Sequence, residues 1–194
     1  YAEGQYYLGA MYAKENGDGV PQDYTEAVRW FRLAADQDYA AAQYDLGSMY
    51  ESGVGVPEDD VEAVRWYRLA AEQGDSNAQA NLGYMYDAGK GVPENDVEAV
   101  RWYRLAADQG FGEHRNRARS NLGAMYAKEN GDGVPEDDVE AVRWYRLAAD
   151  DGYAGAQNAL GWMYHNGNGV PQDYVQAHMW LHLAASRLTG EDRE

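Results

Sequence analysis

Apolar and polar positions along this chain follow the period of an α-helix, and the same pattern returns five times. Placed at about 100° per residue, Ala63, Val64, Trp66, Tyr67, Ala70 and Ala71 share one arc, while Glu62, Arg65, Arg68 and Glu72 fall opposite them. The polar positions set opposite charges three and four residues apart, so the outer stripe neutralises itself. A second apolar arc, Ala78, Leu82, Gly83, Met85 and Tyr86, follows with different residues in the same period. The pattern predicts two helix types, A and B, alternating along the chain.

Exact repetition fixes where they lie. Glu-Ala-Val-Arg-Trp starts at residues 26, 62, 98 and 140, and a degenerate copy, Gln-Ala-His-Met-Trp, starts at 176. Leu-Gly-x-Met-Tyr, the mark of helix A, starts at Leu8, Leu46, Leu82, Leu122 and Leu160. Between them stands Gly-x-Gly-Val-Pro, ending at Pro21, Pro57, Pro93, Pro135 and Pro171. Such periodicity belongs to solenoids, in which one unit cannot bury its core alone and stacked neighbours do. The expected boundaries are about 1–37, 38–73, 74–109, 110–151 and 152–187, all in one domain, with 188–194 as a flexible or cut C-terminal tail.

The helix ends carry their own signals. Asp59 stands as N-cap with Glu62 three residues on, a capping box in which the Glu reaches back to the cap amide. The pair recurs as Asp23/Glu26, Asn95/Glu98, Asp137/Glu140 and Asp173/Gln176. Gly53 is the expected stop of a helix A. Gly74, Gly110 and Gly152 are the expected stops of helix B, with Asp38 in that place in the first unit. Gly9, Gly47, Gly83, Gly123 and Gly161 sit inside helix A, where glycine costs about 1 kcal/mol relative to alanine. Close approach of a neighbouring helix explains their return.

The motif set Ala-x-x-x-Leu-Gly-x-Met-Tyr, Gly-x-Gly-Val-Pro-x-Asp and Ala-x-x-Trp-x-x-x-Ala-Ala resembles the Sel1-like repeat family, relatives of the tetratricopeptide repeat, over about residues 1–187. The resemblance implies an all-α, right-handed superhelical solenoid with helix A on the concave side. It also implies an adaptor or scaffold role, common among bacterial members. Two departures stand out. The first and fourth units carry two extra residues in the A–B loop, and four more enter near Phe111 to Asn116.

Charge and composition narrow the partners. The net charge of −17 argues against nucleic acid and anionic membrane surfaces. An acidic balance of this kind most often serves to keep a chain in solution, and a basic protein or peptide partner is the alternative it leaves open. No apolar run is long enough to span a bilayer. The absence of cysteine removes thiol nucleophiles, disulfides and cysteine zinc sites.

Catalytic chemistry finds little to work with. The Gly-x-Gly turns continue into no phosphate-binding motif. The acidic loops Glu58-Asp59-Asp60 and Glu136-Asp137-Asp138 sit at helix N-termini, where carboxylates are favoured, and fit no calcium loop. His178 and His182 form a two-point grip where a metal needs three or four ligands. No nucleophile–base signature appears. The expectation is a non-enzyme with no cofactor and no metal.

Binding is read from positions where the copies differ. The exposed arc of helix A holds Tyr6, Ala10 and Ala13, then Tyr44, Ser48 and Glu51. It continues with Ala80, Tyr84 and Asp87, then Ser120, Ala124 and Ala127, then Asn158, Trp162 and His165. Trp162 lies outside the repeating Trp series. Aromatic residues among scattered polar groups are what interfaces enrich, so Tyr6, Tyr44, Ser48, Glu51, Tyr84, Asp87, Asn158, Trp162 and His165 form the expected partner groove. Arg115, Arg117 and Arg119 form a secondary basic patch. A carbohydrate or cell-wall ligand stacked on the aromatics is an alternative. Hydrolysis, suggested by cysteine-rich relatives, is a weaker one. The outer stripe of the last helix B reads Gln176, Met179, His182 and Ser186, without a full charge. This edge is expected to be covered, by further helix or by self-association.

Overall fold

The computed structural model describes residues 1–15, 20–129, 131 and 133–188, without the side chain of Leu188. The assigned tail beyond residue 188 and much of the two inserted A–B loops lie outside the described residues. Ten helices and no strand are present among those described. Two compact units divide the chain at Asn95/Asp96. The first holds α1 (Ala2–Ala13), α2 (Tyr24–Ala35), α3 (Ala40–Ser52), α4 (Asp60–Glu72) and α5 (Ser76–Ala88). The second holds α6 (Asp96–Gln109), α7 (Gly112–Ala127), α8 (Asp138–Asp150), α9 (Ala154–Asn166) and α10 (Tyr174–Leu188). Odd-numbered helices are helix A of each repeat and even-numbered ones are helix B.

Helix B starts where the Asp predicts, but with half of the capping box. Asp59 Oδ1 accepts from the amides of Val61 and Glu62 at 3.0 and 3.1 Å. Asp23 and Asp173 do the same, and Asp137 accepts from Glu140 N. Each such cap is worth about 1 kcal/mol. The Glu does not reach back. The Asp59 amide donates instead to Tyr50 O at 3.0 Å, and Asp23, Asn95, Asp137 and Asp173 donate likewise to Tyr12, Tyr86, Tyr126 and Tyr164. With that amide satisfied by the end of helix A, Glu62 turns outward to Arg65 at 3.1 Å. The same i,i+3 pair forms at Glu26–Arg29, Glu98–Arg101 and Glu140–Arg143.

The stops are mostly as expected. Gly53, Gly74 and Gly152 have positive φ, and Asp38 takes the left-handed conformation at φ 60°. Gly110 does not. Its amide still donates to Ala106 O at 2.9 Å and ends α6 without a left-handed residue, while the next positive φ is at Gly112, the first residue of α7. In the repeats with longer A–B loops, α1 and α7 end on Lys14 and Lys128 in extended conformation instead of on glycine. Lys128 reaches back to Asp96, a carboxylate 1% exposed, at 3.1 Å.

In the first, second, fourth and fifth repeats, the mid-helix glycine admits a large side chain. A Cβ on Gly9, Gly47 or Gly123 would stand 2.6–2.7 Å from the ring of Phe31, Tyr67 or Tyr145, and one on Gly161 would meet Leu181 at 2.7 Å. The ring therefore lies against the backbone of helix A, and Tyr67 is fully buried. The small residues Ala63, Ala70 and Ala71 of α4 are buried beside it.

Consecutive repeats are joined by polar bonds repeated at fixed register. Arg68 Nη2 donates to the Tyr86 hydroxyl of the next helix A at 2.7 Å, and Arg32–Tyr50, Arg104–Tyr126 and Arg146–Tyr164 repeat the contact. Arg68 thus belongs to a seam, although its place on the polar stripe marks it as a solvated charge. Buried Gln43, Gln79 and Gln157 donate to the carbonyls of Ala35, Ala71 and Ala149 at 3.0–3.2 Å, tying helix A to the end of the preceding helix B. Gln73 Nε2 donates in turn to Gln43 Oε1 at 2.7 Å, and Gln37 to Gln5. In the fourth repeat both partners change together: Arg119 replaces the helix A glutamine and Asp151 the helix B one, and they pair at 2.9 Å.

The second loop glycine is the tightest point. A Cβ on Gly91, at φ 65°, would stand 2.2 Å from Asp60 O, and Gly55 and Gly169 meet Tyr24 O and Asp138 O in the same way. Gly74, at φ 91°, has nothing within 4 Å of its Cβ position. Gly74→Ala is expected to cost about 1 kcal/mol for the left-handed backbone alone. Gly91→Ala, which adds a backbone collision, is expected to cost about 3 kcal/mol or more. Urea unfolding of the two variants measures the difference, and equal costs would refute the close-approach account.

Candidate functional site

The expected groove residues come from the helix A register, and the two units present them separately. In the first unit, Tyr6 of α1 is half-buried, with its ring 5.2 Å from Tyr39 and 5.6 Å from Phe31. Tyr44 of α3 is half-buried 5.9 Å from Tyr67. The Tyr67 hydroxyl donates to Glu51 Oε2 at 2.6 Å, so that carboxylate is already held from inside the fold. Burial, followed by this bond, drives the Tyr67 hydroxyl far above its usual pKa. Tyr84 of α5 is 41% exposed, and Lys90 Nζ lies 5.8 Å from its ring centroid. Asp87 is half-buried on the same helix. Ala80, expected on the exposed arc, is 2% exposed, because its single methyl stays beneath the neighbours that Tyr44 rises past at the same register.

Ala10, Ala13 and Ser48 line a cleft of about 350 Å³ with Tyr24, Asp45 and Met49. Burial pushes the Asp45 carboxyl up to about 6. The hydroxyl of Tyr6 donates to it and holds part of that rise back, while Asp75 adds to it. Sequence reasoning passed over Asp45, since its register holds Asn81 and Asn121 in other copies and reads as an ordinary polar site.

In the second unit, three aromatic rings come together. Trp162 of α9 is 52% exposed and stands edge-on to His165 at 5.5 Å. His165 in turn meets Tyr174, the first residue of α10, at 5.4 Å. Asn158 is exposed one turn before Trp162. Tyr174 was missed by the arc analysis because it belongs to helix B. Its signal was present all the same: three copies carry Asp60, Asp96 and Asp138 in that register, and Tyr24 and Tyr174 replace them.

The basic segment is drawn inward. Arg115 and Arg119 both bond Asp151, at 2.7 and 2.9 Å, and Arg117 is half-buried. His178 and His182 stack with centroids 6.2 Å apart, and no group of three or more potential metal ligands occurs among the described residues. No described helix is long and apolar enough to cross a membrane.

The Sel1 repeat model matches residues 2–39, 40–75, 76–111, 116–153 and 154–187. The chain belongs to the Sel1 repeat family. Residues 112–115, within the insertion, are the gap between two matched repeats. A Sel1 repeat protein from Oxalobacter formigenes is similar at 37% identity and a TM-score of 0.87, over 96% of this chain and 71% of that one. The protein c5321, described as a protective antigen of uropathogenic Escherichia coli strains displaying an SLR fold, is 41% identical with a TM-score of 0.87. That match covers 96% of this chain and 38% of the other, so this chain spans well under half its length. The immunity protein Pa5087 from Pseudomonas aeruginosa, 22% identical with a TM-score of 0.53 over 94% of this chain and 64% of that one, shares the fold. No curated protein matches the chain. Sel1 repeats generally serve protein–protein interaction, and their scaffold is typically non-enzymatic.

Asp45 generates a pH dependence. Between pH 3.8 and about 6 the folded chain keeps a proton on Asp45 that the unfolded chain has released. Its contribution to stability is therefore full below pH 3.8 and is lost as pH rises through about 6. Asp45→Asn should match the parent at pH 3.5 and exceed it at pH 7 by on the order of 1 kcal/mol. Melting curves of both proteins across that range give the difference directly, and a variant less stable at pH 7 would contradict the assignment.

Proposed function

We propose that this chain is a non-catalytic adaptor that holds a protein or peptide on the exposed face of its A helices. The observation that carries this reading is the Trp162–His165–Tyr174 cluster, whose large rings remain open to solvent, whereas Trp66, Trp102, Trp144 and Trp180 of the B helices are buried. An exposed Trp pays little conformational entropy on binding and contributes a large contact area. Tyr84 in the first unit offers a second anchor, and the cleft beside Ser48 a small apolar recess. The chain's charge of −17 favours a basic partner and speeds its approach at low salt. The uncharged stripe of α10, with Met179, His182 and Ser186 exposed, is a second surface, suited to self-association.

Peptides selected on the chain from a random library supply a probe whose affinity can be measured for variants. Trp162→Ala and Tyr84→Ala are expected to weaken binding by about thirtyfold, the equivalent of roughly 2 kcal/mol at an interface anchor. Arg65→Ala is the proper control, since Arg65 lies on the outer stripe, whereas Arg68 holds a seam. Loss of binding in Arg65→Ala with Trp162→Ala intact would overturn the reading. Selection of glycans but no peptides would replace it with a carbohydrate-binding role.

A further inference from the structure

Small residues open a cleft in the first unit. Ala10 and Ala13 of α1 and Ser48 of α3 line a space of about 350 Å³, with Phe31, Met49 and Val54 as its apolar wall. Larger residues take these registers elsewhere. That of Ser48 holds Tyr84 in the third repeat and Trp162 in the fifth, and that of Ala13 holds Glu51, Asp87 and His165.

Asp45 lines the same space, and no other copy carries an acid in its register, where Tyr7, Asn81, Asn121 and Ala159 stand. The carboxyl is half-buried and has no cation of its own. The Tyr6 hydroxyl donates to it, and the charge whose field reaches it is Asp75, of the same sign. Lys14, exposed on the lining, does nothing to hold its charge. Burial without a counter-ion therefore pushes Asp45 up to about 6, so that at pH 7 it is ionised at a cost that a cation would remove.

The lining thus offers an anion without a counter-ion, a hydroxyl acceptor at Ser48 and an apolar wall, a combination that suits an alkyl ammonium. The methylenes of such a group cover the wall while its charged head meets Asp45. A guanidinium fits less well, because its forked donors call for both carboxylate oxygens and the Tyr6 hydroxyl already engages that carboxyl.

We propose that this cleft seats a lysine side chain of the bound partner. The inference rests on the adaptor reading and deepens it, giving a basic partner a definite point of attachment to an acidic chain. The ammonium takes the ionised carboxylate, so affinity rises about tenfold between pH 5 and pH 7 as Asp45 ionises through about 6. The groups that face Asp45 are Tyr6 of α1, Tyr24 of α2, Lys14 and Asp75, with no histidine among them.

The test uses peptides selected on the chain, each lysine replaced in turn by its uncharged analogue norleucine. At pH 7.5 one such replacement should weaken binding about tenfold, as expected when a charge-assisted bond is lost, and at pH 5 most of that difference should vanish. Asp45→Asn, expected above to be the more stable protein at pH 7, should bind the lysine and norleucine peptides alike. Ser48→Trp, which copies the residue of the fifth repeat into the cleft, should bind both weakly. Peptides that bind but lose nothing with norleucine, or lose as much on Asp45→Asn as on the parent, would overturn the lysine seat and leave the adaptor reading standing. Arginine binding more tightly than lysine at the same position would overturn it as well. If no peptide is selected, the adaptor reading falls and n-butylamine decides the cleft. Shifts of the Ser48 and Met49 amide signals at pH 7.5, absent in Asp45→Asn, would support an ammonium seat, and no shift would overturn it.

Discussion

The aromatic ring that lies against helix A at Gly47 has room only because that position carries no side chain. The same contact at Gly9 and Gly123, and its leucine version at Gly161, sets the distance between the paired helices wherever it is described. With the helices this close, small residues such as Ala63 and Ala70 suffice to complete the core. The glycine lowers helix propensity, and dense packing across the pair offsets that cost. The bonds between repeats depend on the same spacing, since Tyr86 and Gln79 meet Arg68 and the Ala71 carbonyl only if helix A sits at fixed depth.

Most of this architecture was legible in the sequence because it is repeated. Five copies of one motif average out local accidents, so helix type, caps and turns could be read from agreement among them. The misreadings arose where two groups competed for one partner. The capping box predicted a role for Glu62 that the Tyr50 carbonyl already filled, and no rule of local spacing reveals a competitor from the preceding helix. Arg68 looked like a solvated charge because its partner, Tyr86, is 18 residues away and belongs to the next repeat. Gly110 does not take the left-handed turn of the other stops, because the inserted residues follow it and the next helix begins directly at Gly112.

The candidate surfaces were legible only in part. Trp162 stood out as a break in the repeat, and it is exposed. Tyr174 broke the repeat just as clearly but lay on the helix assigned to the other side, and only folding brings it to His165. Glu51 shows the reverse: its register marked it as available, yet Tyr67 occupies it from within. Departure from the consensus thus identified unusual residues, while their availability depended on contacts from elements distant in sequence.

The paired exchange of Gln-to-Gln for Arg119-to-Asp151 changes the character of one repeat. Where Gln73 meets Gln43 the clasp is between neutral amides and is indifferent to dissolved ions. In the fourth repeat the clasp is ionic and incompletely shielded from water, so counterions weaken it. Adding salt therefore loosens this solenoid unevenly, with the ionic clasp giving way before the amide one. A chain built from near-identical units thereby acquires a preferred point of opening.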